Sequence, residues 1–281
     1  MLLKTKANET ADVMHPKPAR RVRTHIGRIV YPSAFLLFTL AMWEVVPTLL
    51  AVPTIYFPSL TKVLAALLDP AALPLYLSNG WVTLSEALLG LSIGATSGFV
   101  IGIILAEVDI LRRTFYPYIV AFESIPKVAI APLLLIWFGF GIESKIVVVA
   151  LLTFFPLMIN TMSGFKNVDR NQIEMMRVYG ATGPQIRWKL VLPSALPQIL
   201  TGFEVAVVLS TLGAIVAEFV GGQNGLGVLI IQAQFQMNTP AVFALLLILG
   251  AIGVTLNLLV RTLRRRLIHW IDAEQDAYTV P

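Results

Sequence analysis

The sequence predicts an all-α integral membrane protein with six transmembrane helices, and three observations carry that reading. Of its 281 residues, 57% are hydrophobic and only 13% charged, with a mean hydropathy of +0.78. Soluble domains sit near roughly 45–50% apolar and about 25% charged. Six apolar blocks are long enough to cross a bilayer core, which takes roughly 20 helical residues. They lie near Ile29–Val52, Trp81–Ala106, Phe115–Phe138, Lys145–Met162, Leu196–Val220 and Ala241–Leu263. Finally, every Lys and Arg except Lys62, Lys127 and Lys145 falls in segments that alternate crossing would put on one side. The positive-inside rule makes that side the cytoplasm, with both termini there.

The elements follow in order. Residues 1–27 read as a basic cytoplasmic tail, with Pro16 and Pro18. The tail is no signal peptide, because the apolar run after it exceeds an h-region and no small-residue cleavage site follows. Residues 28–79 hold the first span and an outer connection. Within that connection Pro58-Ser59 opens a short run with Leu60, Val63, Leu64, Leu67 and Leu68 on one face, too short to span and suited to lying on the outer membrane surface. The second span carries Gly90, Gly94, Gly98 and Gly102 at every fourth residue. Such a stripe admits a close helix neighbour, either as plain packing or beside a translocation path. The third contains Glu123, Pro126, Lys127 and Pro132 and is expected to be kinked or broken. Its Glu123 and Lys127, four residues apart, form either an internal ion pair or a solute contact. In the fifth span Glu204 lies near the cytoplasmic entrance and Glu218 near the outer end, with Ser210, Thr211 and Gly213 between. The loop Gly221–Gly225 after it is either an outer gate or a simple Gly-rich turn. Residues 264–281 form a second basic tail, and Arg264-Arg265-Arg266 reads as a stop-transfer anchor, which explains the pI near 9.6 without nucleic acid.

Between the fourth and fifth spans lies a polar island, Val168–Pro193, holding Asp169, Arg170, Glu174, Arg177, Arg187 and Lys189. That charge density excludes it from lipid. Its local signals are nonetheless those of order. Asp169 with Gln172 reads as a capping box, Gly180 as a left-handed helix end, and Thr182 with Gln185 as a second cap over Pro184. Leu192-Pro193 then predicts an extended turn. The expectation is two short helices around a glycine elbow.

The spacing of this island resembles the E-A-A-x3-G-x9-I-x-L-P loop of ATP-binding-cassette (ABC) importer permeases. Glu174, Gly180, Leu192 and Pro193 keep register, with Arg177 between the first two, while Met175 and Met176 stand for the two alanines and Leu190 for isoleucine. Around it, Ile125-Pro126-Lys127, Pro132, Trp137-Phe138-Gly139-Phe140-Gly141, Ala217-Glu218-Phe219 and Gly225-Leu226-Gly227 resemble the sulfonate/taurine/nitrate branch. The resemblance covers roughly residues 80–263 and implies the type I importer permease (MetI-like) fold. It further implies that residues 168–193 are a coupling loop docking on a cytoplasmic ABC ATPase, that a second permease copy completes a homodimer, and that an extracytoplasmic solute-binding protein delivers a small solute. The setting would be a bacterial cytoplasmic membrane. On that reading Glu123, Lys127, Ser210, Thr211 and Glu218 are candidates for the translocation path. The resemblance also implies that the chain is not itself an enzyme and holds no cofactor; ATP and Mg²⁺ would sit in the partner ATPase.

The residues themselves exclude several functions. There is no cysteine, and His15, His25 and His269 are far apart in basic flanks, which excludes thiolate chemistry and argues against a metal site. No Gly-Lys dipeptide occurs, so the chain has no phosphate-cradling P-loop. No nucleophile–base constellation supports a membrane enzyme. An ion- or proton-coupled transporter relaying through Glu123, Lys127, Glu204 or Glu218 is the alternative that the charges leave open.

Overall fold

The computed structural model describes residues 25–268. The tails beyond them, with Lys4, Lys6, Lys17, Arg20, Arg21, Arg23 and two of the three histidines, lie outside the described residues. Helix α1 (His25–Leu49) is followed by the short α2 (Leu60–Leu67) and the long α3 (Leu73–Glu107). Next come α4 (Asp109–Glu123), α5 (Ala131–Phe138) and α6 (Ile142–Lys166). The polar island holds α7 (Arg170–Val178) and α8 (Gly183–Ile186). The chain then forms α9 (Leu192–Gly221), α10 (Leu226–Phe235) and α11 (Thr239–Leu267). By length and composition five helical stretches can each cross a membrane, and the bent pair α4–α5 makes a sixth.

The core is a sandwich of α3, α6 and α9. Small residues on both outer helices let them close on α6. A Cβ at Gly90 would strike Val149, one at Gly94 would strike Thr153 and the Ala150 backbone, and one at Gly98 would lie 2.5 Å from the Phe154 carbonyl oxygen. One at Gly102 would lie 2.7 Å from the Met158 carbonyl oxygen. From the other side Gly202 meets Asn160 and Gly213 meets Leu152 and Val149. The glycine stripe of α3 therefore packs against α6 of the same chain. Where backbones approach this closely, dispersion contacts and small residues replace the hydrophobic effect as the association force. By contrast, α1 and α11 lie at the periphery and are mostly exposed. The indole N–H of Trp43 donates to the Pro58 carbonyl (3.1 Å), and the Thr61 amide and hydroxyl donate to the Glu44 carboxylate (2.8 and 2.7 Å), which holds α1 to α2.

The expected break in the third span is present: α4 and α5 meet at 82°. Pro126 causes it, with φ −62° and ψ 95°, followed by a 3₁₀ turn over Lys127–Ile130. Pro132 does not, because it sits in the first turn of α5, where its missing N–H costs nothing. Gly139, at φ +81°, ends α5 and makes the turn into α6. Gly141 is extended and caps α6 instead of sharing that turn.

Candidate functional site

The loop end of the bundle is built as a rigid bracket. Helix α7 starts at Asp169, whose carboxylate accepts from the Asn171 amide at 2.9 Å. The bond made is this local one rather than the Asp169–Gln172 reciprocal box that the spacing predicts. The helix ends at Gly180, with φ +79°. The Gly180 amide donates to the Arg177 carbonyl and the Ala181 amide to the Met176 carbonyl, both at 2.9 Å. These are the paired bonds of a Schellman end, and only a residue comfortable at positive φ completes them. The second cap is also made, with the Thr182 amide donating to Gln185 Oε1 at 2.8 Å.

Beyond this point the structure corrects the sequence. Leu192-Pro193 is no extended turn: Leu192 is helical (φ −63°, ψ −46°), and residues Gly183–Gly221 form one continuous helical stretch. A π turn over Arg187–Val191, in which the Leu192 amide donates to the Arg187 carbonyl, opens the helix just ahead of Pro193. That widening relieves the clash a proline ring makes with the preceding turn. Only α7 is a separate short helix; α8 is the foot of the fifth span, so Leu190, Leu192 and Pro193 belong to that span's own first turns.

Two groups of contacts seat the bracket. Val168 and Ile186 are buried, and Arg187 Nη1 pairs with Glu107 Oε2 at 2.9 Å, tying the foot of the fifth span to the end of α3. The bracket's exposed surface sets large apolar side chains among charged ones. Val178 and Tyr179 are 86% and 85% exposed, and Met175 and Trp188 are exposed beside them. Met176 is partly buried, whereas Glu174 and Arg177 are exposed.

A second polar assembly lies buried between α3, α6, α9 and α10. Lys145 Nζ pairs with Glu86 Oε1 at 3.1 Å, with both side chains almost completely excluded from solvent. Glu218 is equally buried; its Oε1 accepts from the Thr83 hydroxyl at 2.6 Å and its Oε2 from the Gly227 amide. Asn79 Oδ1 accepts from the Gly225 amide (2.7 Å) and Thr83 Oγ1 from the Leu226 amide (2.9 Å). Three consecutive amides at the start of α10 are thus capped by side chains from α3 and α9. A carboxylate at a helix N-terminus is also favoured by the helix dipole. Gly225, at φ +119°, lies so close to the Glu218 carboxylate that any side chain there would strike it. The loop Gly221–Gly225 is therefore tied to α3 and α9 at its Gly225 end.

Residues 98–269 match the family described as "Binding-protein-dependent transport system inner membrane component". This chain belongs to that family. The permease is 33% identical over 239 residues to the "Formylaminopyrimidine transport permease protein ThiX" of Halalkalibacterium halodurans, an alignment covering 85% of this chain and 95% of the relative. It is 36% identical over 254 residues to the "Riboflavin transport system permease protein RibX" of Chloroflexus aurantiacus, covering 89% and 94%. Against the "Taurine transport system permease protein TauC" of Escherichia coli it is 30% identical over 236 residues, covering 82% and 86%. The fold is similar to that in "Inward facing conformations of the MetNI methionine ABC transporter", with a TM-score of 0.63 at 20% identity, over 71% of this chain and 99% of that one. The chain is a multi-pass membrane permease subunit of an ABC importer, with ATP hydrolysis in a separate subunit. Membership implies an ATPase and a binding protein as partners.

The permease does not gather its predicted path residues into one place. Lys127 makes no ion pair with the Glu123 carboxylate; its ammonium donates to the Glu123 backbone carbonyl at 3.2 Å and lies 4.8 Å from the Phe155 ring centroid. The break after Glu123 turns the two side chains apart, and a cation over an aromatic face is the alternative the site offers. Ser210 donates to its own helix at the Val207 carbonyl (2.8 Å), while Thr211 Oγ1 is buried without a partner among the described residues. Only Glu218 joins a polar assembly. Glu204 pairs with Arg264 at 3.2 Å, so Arg264 is an inter-helix tie rather than a pure anchor. The sequence reading missed Glu86, Asn79 and Thr83, and put Lys145 in an outer loop. The signal was available: Glu86 is a carboxylate inside an apolar block, and such a group calls for a named partner.

Proposed function

We propose that this permease imports a small solute of the class its relatives' names carry: a sulfonate- or taurine-like anion, or a small organic solute such as a vitamin precursor. The 168–193 loop transmits the motion of a cytoplasmic ABC ATPase dimer, which binds ATP and Mg²⁺. Both termini lie on the ATPase side, in a bacterial cytoplasmic membrane. Residues 80–263 act as the transport unit, after a first span and outer connection over 28–79, with residues 1–27 and 264–281 as cytoplasmic tails.

The observation that carries this reading is the bracket itself. It is capped at both ends, ion-paired to α3, and presents Met175, Val178, Tyr179 and Trp188 outward, at a polar end of the bundle. An exposed apolar patch on a stiff element outside lipid suits a protein partner, and adaptable Met side chains suit a groove. Glu174 and Arg177 stand beside the patch for polar contacts. Rigid-body motion delivered to α7 passes through Arg187–Glu107 into α3 and through the foot of the fifth span into α9.

A second copy of this chain completes the pathway. The face of α3 turned away from α6 and α9 carries Ser92, Ile93, Thr96, Ser97, Val100 and Ile101 and is uncovered in a single chain. The Ser92 and Ser97 hydroxyls donate within their own helix, to the Leu88 and Ile93 carbonyls, which leaves a largely apolar face.

The test is cross-linking from a photoreactive residue at Met175 in membranes. The reading expects capture of a polypeptide that an ATP analogue also labels, and loss of capture with Tyr179→Glu. Purified permease that accumulates solute alone on an ion gradient would overturn it.

A further inference from the structure

We propose that the Arg-bearing end of α11 is a binding site for an anionic phospholipid, whose phosphate lies between Arg261 and Arg265 and whose acyl chain runs along Leu258 and Val254. The site stands apart from solute transport, because its occupancy can be read in the permease alone.

Arg261, Arg264, Arg265 and Arg266 crowd the last two turns of α11. Among the described residues only Arg264 has a carboxylate. It is partly buried and pairs with Glu204 of α9 at 3.2 Å. Arg261, Arg265 and Arg266 are exposed and make no ion pair among the described residues. One carboxylate against four guanidiniums leaves this end strongly cationic, and like charges four residues apart on a helix repel. A phosphate between Arg261 and Arg265 relieves that repulsion, since guanidinium forks match its oxygens.

The face suits a lipid and not a free anion. Val254, Leu258, Arg261 and Arg265 follow at spacings of four, three and four, which sets them in one column of the helix. All four are exposed, as are Leu259 and Leu263 beside them. The column is therefore apolar along its length and cationic at its end. Depth agrees with this. At about 1.5 Å per residue, Arg261 stands roughly 33 Å from Thr239, and Leu258 roughly 28 Å. The hydrocarbon core is about 30 Å thick. Leu258 thus lies among acyl chains while the guanidiniums reach the headgroup layer, their stems packing along apolar surface. Helix α11 is also peripheral and mostly exposed, so lipid reaches the column directly. Bound phosphate neutralises the two arginines that flank Arg264, and so steadies the Arg264–Glu204 tie between α11 and α9.

The test uses the full-length permease purified in a maltoside detergent. Added phosphatidylglycerol should raise Tm, read from tryptophan fluorescence, and phosphatidylcholine should not. One basic side chain at a membrane surface is worth about fivefold in affinity for anionic lipid. Arg261→Gln with Arg265→Gln should therefore raise the half-effective phosphatidylglycerol concentration roughly 25-fold. Arg265→Gln alone should raise it about fivefold, which keeps the test decisive if the double variant misfolds. Arg113→Gln, at an exposed arginine on α4, should leave it unchanged. Equal stabilisation by the two lipids, or an undiminished response in the arginine variants, overturns the site. Inorganic phosphate acting as well as the lipid would overturn it in favour of a free-anion site. Asp272, Glu274 and Asp276 follow in the sequence. A lipid response that appears only after Asp272→Asn, Glu274→Gln and Asp276→Asn would make that tail the occupant instead. Lost ATPase association in the double variant, with the lipid response intact, would make the face a protein contact.

Discussion

Arg187 reaches 80 residues back along the chain to Glu107, with Nη1 2.9 Å from Oε2. This pair joins the foot of the fifth span to the end of α3 across the polar face of the bundle. Both side chains are substantially exposed, so its contribution to stability is small, about 0–1 kcal/mol. Its expected importance is transmission. Arg187→Glu should leave Tm nearly unchanged while lowering transport-coupled ATP hydrolysis several-fold, and Arg187→Glu with Glu107→Arg should recover most of it. A double mutant no better than the single would show that the pair is incidental to coupling.

The glycine stripe leads to a folding defect and not an assembly defect. Gly94→Leu and Gly98→Leu would push a side chain into Thr153, Ala150 and the Phe154 carbonyl of α6. Overpacking against backbone that cannot move costs typically 1–3 kcal/mol and sometimes more. The folded monomer yield in mild detergent should drop sharply for both. Normal monomer yield with loss only of the dimer would place the stripe at a contact between copies instead.

The legible features were those with a fixed local geometry. Four glycines at a spacing of four announced a close helix neighbour, but only the fold could say that α6 was the neighbour. Gly180 was readable because a left-handed helix end has a short-range signature. Pro126 and Pro132 looked equivalent in sequence, and their effects differ only because one falls between helices and the other in a first turn. Pro193 misled for a related reason: a π turn, which has no simple sequence signal, accommodates it. Helix α10 was missed because ten residues are too few to span, and the caps that start it come from residues 146, 143 and 9 positions away. Lys145 looked like a loop residue because its partner Glu86 is distant in sequence. No local rule pairs them.

Orientation is open to direct labelling. Gln172 and Gln223 are both exposed, at opposite ends of the bundle, and the chain has no native cysteine. Gln223→Cys should react with an impermeant thiol reagent in intact cells, and Gln172→Cys only after the membrane is opened. The reverse pattern would invert the topology and remove the loop from the ATPase side.

The most discriminating prediction concerns Gly180. A Cβ at this position would meet nothing within 4 Å, so a substitution is penalised by backbone conformation alone. At φ +79° an ordinary L-residue costs about 1–2 kcal/mol, a β-branched one more, and Asn less. The penalty falls on the Schellman end of α7, whose bonds run from Gly180 to Arg177 and from Ala181 to Met176. The spans, held by the α3–α6–α9 packing, do not depend on it. Gly180→Val should therefore insert and purify normally, yet lose ATPase association or transport-coupled hydrolysis. Gly180→Ala should be milder and Gly180→Asn milder still. That rank order separates a conformational cause from a steric one: with open space around Cβ, the larger Asn should outperform the smaller Ala. Equal activity across all three would make the loop a passive connector. A loss that tracks side-chain volume would mean that Gly180 is covered by the partner, and that the docking surface extends past Tyr179 to the turn itself.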